Sequence, residues 1–157
     1  MPRRYTVGFK NVTVSAAQDL VAIKPGTAKP IRICRVWLFG NDTSLQTAQM
    51  LRLLLKYTTG TLTLGSGGTS ATAVPFDPGD TAFAGTAHVN DTTPSTTSTS
   101  FVDLVQAGGH NYAGFDRSFG MNGPIIGAAE GFVFSLLSTV TGTCNFSGGV
   151  EFEEFGG

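Results

Sequence analysis

The sequence predicts an all-β chain: an antiparallel, jelly-roll-like β-sandwich of eight or nine strands, in a single domain over residues 1–157. Three observations carry that expectation. Apolar and polar residues alternate with a period of two through much of the chain, as in strands with one buried face. Turn signatures recur at short intervals, among them Lys24-Pro25-Gly26-Thr27 and Asp77-Pro78-Gly79-Asp80. In both, Pro presets φ and Gly accepts positive φ, the type II arrangement. No strand–helix–strand succession of the parallel kind is visible.

Taken in order, "RYTVGF" puts Tyr5, Val7 and Phe9 on one face and Arg4, Thr6 and Gly8 on the other, and "NVTV" continues the strand. "DLVAIKPGTAKPIRICRVWLF" reads as strand, turn, strand. Strict alternation in its second strand sets Ile31, Ile33, Arg35, Trp37 and Phe39 against Arg32, Cys34, Val36 and Leu38. The end of that strand is apolar on both faces and is expected to be central and covered on two sides. "NDTSLQTAQMLRLLLKYTT" is read as a short irregular or helical lead-in followed by a strand from about Gln49 to Thr58. A Gly/Ser/Thr-rich segment at about 60–73 is expected to be a flexible loop, because it has little apolar area to bury. "TAFAGTAHVN" is expected to be a strand, "DTTPSTTSTS" a polar loop and "FVDLV" a short strand. Gln106 to Pro124 has too many glycines for regular structure and is expected to be a long loop. "GFVFSLLSTV" and "TCNFSGGVEFEEF" are expected to form a hairpin around Thr141-Gly142. In its second strand Phe146, Val150 and Phe152 oppose Asn145, Ser147, Glu151 and Glu153, and Gly148-Gly149 suits a bulge.

Composition limits the function. Only 13% of the 157 residues are charged, and the net charge is −1, whereas about 25% is ordinary for a soluble domain. Such a surface is poorly protected against association, so neighbours in an assembly are expected to cover much of it. The near-neutral balance gives no broad attraction to nucleic acid or membrane. No 18-residue apolar run is present, and "MPRRYTVGF" has no leader-like apolar stretch. Cys34 and Cys144 are expected to be buried thiols. The Asn-x-Ser/Thr triplets at Asn11, Asn41, Asn90 and Asn145 are read as products of a Thr-rich composition.

The search for chemistry finds no catalytic set, cofactor site or metal site. His88 is read as a strand residue with no carboxylate nearby in sequence, and His110 lies in the Gly-rich stretch six residues before Asp116. One His and one carboxylate fall short of the three protein ligands usual for catalytic zinc. Asp77 and Asp80 could offer oxygen ligands to calcium, but Asp beside Pro-Gly is favoured for turn hydrogen bonds alone. Glu151 and Glu153 share one strand face rather than facing each other across a cleft, as a glycosidase pair would. No G-x-S-x-G, P-loop, H-E-x-x-H or CxxC occurs. The basic start, Arg3, Arg4 and Lys10, and the acidic end, Glu151 to Glu154, are expected on neighbouring terminal strands. They can pair within one subunit or between subunits. Trp37 and Tyr57 look like core, whereas Tyr112 and Phe115 lie in the expected loop, where aromatics can stack on a sugar or a partner.

Three stretches, "RYTVGF...VTVSAAQDLVAI", "LRLLLKYTTGTLTLGSGGTSATAVPFDPGD" and "GGVEFEEF", resemble a group of small β-rich structural proteins of tailed bacteriophages and their prophages. The resemblance covers most of the chain and is plainest from Arg4 to Asp91. It implies a non-enzymatic virion protein, a capsid decoration (cement) protein made in the host cytoplasm and carried on the capsid surface. It also implies a homo-oligomer, a trimer, that packs on the major capsid protein. From the terminal charges, the Gly/Ser/Thr segment and the loop aromatics, the contact residues expected in such an assembly are Arg3, Arg4, Ser66, Gly67, Gly68, Thr69, Tyr112, Phe115, Glu151 and Glu153. The alternative is a carbohydrate-binding head fibre or a tail-associated β-sandwich module.

Overall fold

The computed structural model describes residues 1–156. The chain is all-β, and every strand pairing is antiparallel. The longer strands are β1 (Arg3–Val14), β2 (Gln18–Lys24), β3 (Ile31–Gly40), β4 (Met50–Thr58), β8 (Thr86–Asp91), β10 (Phe101–His110), β13 (Gly131–Leu136) and β14 (Cys144–Glu154). Between them run short pieces: β5 (Leu62–Thr63), β6 (Thr69–Ala71), β7 (Val74–Pro75), β9 (Thr96–Thr97), β11 (Phe115–Ser118) and β12 (Ile125–Ile126). One sheet has the order β11-β3-β14-β1-β7, with β12 also on β3, and the other has the order β10-β4-β13-β2-β8-β6. We call them the first and second sheets.

Their inner faces share one core. The first sheet contributes Tyr5, Val7, Ile31, Ile33, Val36, Leu38, Phe146, Val150 and Phe152, and the second contributes Leu20, Ile23, Leu53, Leu55, Phe132 and Phe134. The predicted alternation in β1 and β14 is present: Tyr5, Val7, Phe146, Val150 and Phe152 are buried, and Glu151 and Glu153 lie on the outer side. The two terminal strands are neighbours from Arg3↔Glu154 onward.

The outer faces differ. Over the second sheet, Leu62 packs with Ala22 and Val133 in a small second cluster, supported by Leu64 and Phe101. Leu62 fills the space a side chain on Gly131 would need, so glycine at that position lets the cover sit down. Polar groups fasten the cover. The buried Asp19 accepts a hydrogen bond from Ser95 N–H (2.6 Å) and one from Ser135 O–H (2.7 Å). Ser66 and Thr93 exchange backbone bonds of 3.1 and 2.9 Å. This explains why β2 and β13 are buried on both sides. The outer face of the first sheet has no comparable cover among the described residues.

Several sequence expectations are corrected. β13 and β14 are not a hairpin. β13, buried at every position, lies in the second sheet between β4 and β2, whereas the alternating β14 lies in the first between β3 and β1. Gln106 to Pro124 is not one loop: its start extends β10 along β4, and its middle forms β11 and a 3₁₀ turn, Gly120–Asn122. Thr81–Gly85 is not strand. The segment at 60–73 contains β5 and β6, with β6 paired to β8. Both Pro-Gly stretches turn the chain, but neither Gly26 nor Gly79 has positive φ; in the first, the turn closes from Gly26 to Lys29 with Ala28 at φ 59°. Gly148 and Gly149 pair regularly with Phe9 and Gly8, and the bulges in the ladders of β14 fall between Phe9 and Val12 and at Cys34.

Candidate functional site

The bulge at Cys34 determines the open face. Glu151 pairs with Arg35 and Phe152 with Ile33, leaving Cys34 as the extra residue. The alternation of β3 is therefore reset. Ile31 and Ile33 point inward before the bulge, and Val36 and Leu38 point inward after it. Arg35, Trp37 and Phe39 consequently belong to the outer face, contrary to the sequence expectation that strict alternation runs through the strand and that Trp37 is core.

Apolar groups stand on this face. Phe39 is 43% exposed, Val74 55%, Phe76 54% and Ile125 59%, and Trp37 is half-buried beside them. Trp37, Val74 and Lys10 line a shallow concavity of about 550 Å³, together with Thr6, Thr72 and Ser147.

Charges on the same face are linked into a chain across four strands. Arg4 Nη2 meets Glu151 Oε2 at 2.7 Å, and Glu151 Oε1 meets Arg35 Nη1 at 3.2 Å. Arg35 grips Asp116 with two bonds, Nε–Oδ1 at 2.9 Å and Nη2–Oδ2 at 2.6 Å. That bidentate grip holds the Asp116 carboxyl below its ordinary range and raises the Arg35 guanidinium. Arg32 pairs with Glu153 at 3.4 Å. Each of these charges already has an opposite neighbour when another surface approaches.

The residues expected to make contacts fall in three places. Arg4, Glu151 and Glu153 lie together on the open face. Arg3 sits beside them but turns to Asp80 at 3.6 Å. Ser66, Gly67, Gly68 and Thr69 lie instead at the edge of the second sheet. There Gly67 has φ 86°, Gly68 N–H donates to Asp91, and Thr69 pairs with Val89. Tyr112 stands at one end, its hydroxyl tied to the backbone of Gln46. Phe115 is in β11 and packs on the core, with its ring 5.9 Å from that of Phe134. Sequence reasoning missed Trp37, Phe39, Val74, Phe76 and Ile125 as surface groups. Only the exposed position of Phe76 beside the Asp77 turn left a visible signal.

The fold also assembles an acid–base set that the sequence reading did not find. His88 Nδ1 is 3.2 Å from Asp91 Oδ2, and His88 Nε2 is 3.2 Å from Ser70 Oγ. Among the described residues no three His, Cys, Asp or Glu side chains gather as a metal site. No described helix is long and apolar enough to cross a membrane.

Compared with protein-family models, with curated proteins and with solved structures, the chain matches none.

Proposed function

We propose that this chain is a structural subunit of a tailed-phage virion, a decoration protein whose copies join one another through the outer face of the first sheet. The observation that carries this reading is the asymmetry of the sandwich. The chain covers the outer face of one sheet with Leu62 and Leu64, and leaves Trp37, Phe39, Val74, Phe76 and Ile125 on the other. Apolar groups of this size stabilise a contact by about 25 cal/mol per Å² removed from water. The paired charges among them lose less on desolvation than isolated ones would. The resemblance to phage structural proteins supplies the setting: copies of the chain joined in a closed ring of three, seated on the major capsid lattice at the capsid surface.

Trp37 is the sole tryptophan and reports on this face directly. Its emission is expected to move to shorter wavelength as the protein is concentrated and to return on dilution. In Val74→Glu it is expected to stay at the dilute position. Emission indifferent to concentration, while the assembled mass changes, would place the contact elsewhere.

One feature favours a second reading, a carbohydrate-binding head fibre or tail-associated module. Trp37 borders an open concavity that also presents Thr6, Thr72 and Ser147 hydroxyls, and sugar sites pair an apolar ring face with a few polar groups. Glycan-array binding that is lost in Trp37→Ala, by a protein that stays monomeric, would favour this role over docking.

A further inference from the structure

We propose that Ser70, His88 and Asp91 form a nucleophilic site that accepts short acyl groups from carboxylic esters. The set is built by the backbone. Ser70 on β6 and His88 on β8 are direct cross-strand partners, which brings their Cβ atoms to about 4.5–5.5 Å. His88 and Asp91 are three residues apart and would point to opposite faces of a regular strand. Asn90 between them has φ 59°, and this left-handed residue returns Asp91 to the side of His88.

The connectivity defines the protons. Asp91 is 1% exposed, and its Oδ1 is held by Gly68 N–H at 3.2 Å. Its Oδ2 therefore stays aimed at His88 Nδ1, which donates to it. With the proton on Nδ1, the neutral ring has an acceptor at Nε2, and Ser70 O–H is the donor that reaches it. A hydroxyl bonded to a base, with the base oriented by a third group, is the arrangement that activates serine. Ser70 itself is exposed. Beside it and His88 opens a cleft of about 280 Å³ lined by small apolar groups, among them Ala71, Ala73, Ala82 and Ala87, which suits a short acyl chain. β6 is the edge of its sheet, so N–H groups on its free side are available to a developing oxyanion.

The reaction balances without a cofactor. Ser70 Oγ bonds to the ester carbonyl carbon as its proton passes to His88 Nε2. The bond to the alcohol oxygen breaks as that proton is returned to the leaving alcohol. Water then attacks acyl-Ser70, giving its proton to His88, and the carboxylic acid departs as Ser70 recovers a proton. Ser70 and His88 are the catalytic residues; Asp91 is a positioning residue. The site lies on the second sheet and does not depend on the docking role.

The test uses the full chain, a fluorophosphonate probe read by intact and peptide mass, and p-nitrophenyl acetate hydrolysis. One label per chain is expected on Ser70, and none in Ser70→Ala, a change at an exposed edge position. His88→Gln is expected to slow hydrolysis by ~10²–10⁴-fold. Asp91→Asn is expected to lower kcat with little change in KM, because the ring is no longer held by a carboxylate, and Asp91→Glu is expected to recover part of the loss. A purely structural role for Asp91 would reduce the folded fraction and leave kcat per folded chain unchanged. Failure to label Ser70, labelling at another residue, or labelling at an equal rate in folded His88→Gln would overturn the proposal.

Discussion

The indole of Trp37 lies against the backbone of Gly149: a β-carbon at Gly149 would sit 2.7 Å from Trp37 Cζ2 and 2.8 Å from Cη2. Glycine on the middle strand is what lets the tryptophan of the next strand fold down across the open face. Gly149→Ala is expected to force the ring or the strand to shift, destabilising the fold by about 1–3 kcal/mol. Urea unfolding checks this through a lower midpoint at unchanged slope. A β-carbon there would also sit 2.6 Å from the Val7 carbonyl oxygen, so an unchanged midpoint would mean that both the ring and the β1 backbone give way.

The charge chain predicts an acid-sensitive surface. Arg35 holds the Asp116 carboxyl below its ordinary value of 3.8. Its folded value being lower than its unfolded one, Asp116 contributes stability fully above about pH 4, and loses it as pH falls through the folded value. Both groups are partly exposed, so the contribution is small. In an NMR titration, Arg35→Met is expected to raise the Asp116 carboxyl back toward 3.8 or above. No movement would mean that the pair is not formed in solution.

The cover over the second sheet is expected to be integral to stability. Leu62 is fully buried against Ala22 and Val133, and Leu62→Ala is expected to cost about 2–5 kcal/mol. Hydrogen exchange is expected to quicken first in the cover and then in β2 and β13. A near-neutral change would show that the cover is held by its polar ties alone.

The thiols are expected to be inert while the chain is folded. Cys34 and Cys144 are buried and free. Burial is the main cause raising both pKa values, with Glu153 adding to it for Cys34 and Asp42 for Cys144. A thiol reagent at pH 8 is expected to find both only after denaturation. Rapid native reaction of either would contradict the packing.

The parts of the fold that were legible are those where the local pattern and the tertiary setting agree. In β1 from Arg3 to Phe9 and in β14, alternation is regular, so their faces and the pairing of the two terminal strands followed from the residues, whereas the hairpin expected between β13 and β14 did not form. β3 misled because the single extra residue at Cys34 changes the meaning of every position after it, and nothing in "RICRVW" marks the slip. β10 was cut short because Gly108 and Gly109 are poor strand formers; pairing with Arg52 and Leu51 on β4 overrides that preference. Ser70 and His88 are brought together by sheet pairing, and no spacing along the chain encodes it. The His88–Asp91 step depends on the left-handed Asn90, a conformation Asn accepts more readily than most residues.

Native mass by light scattering over a dilution series tests the docking account most directly, run on the wild type and on Phe39→Glu with Val74→Glu. The account predicts a wild-type particle near three times the 16.4 kDa chain, and a folded monomer for the double variant. A wild type that remains a 16.4 kDa monomer at every concentration, or a variant that assembles as fully as the wild type, would contradict it.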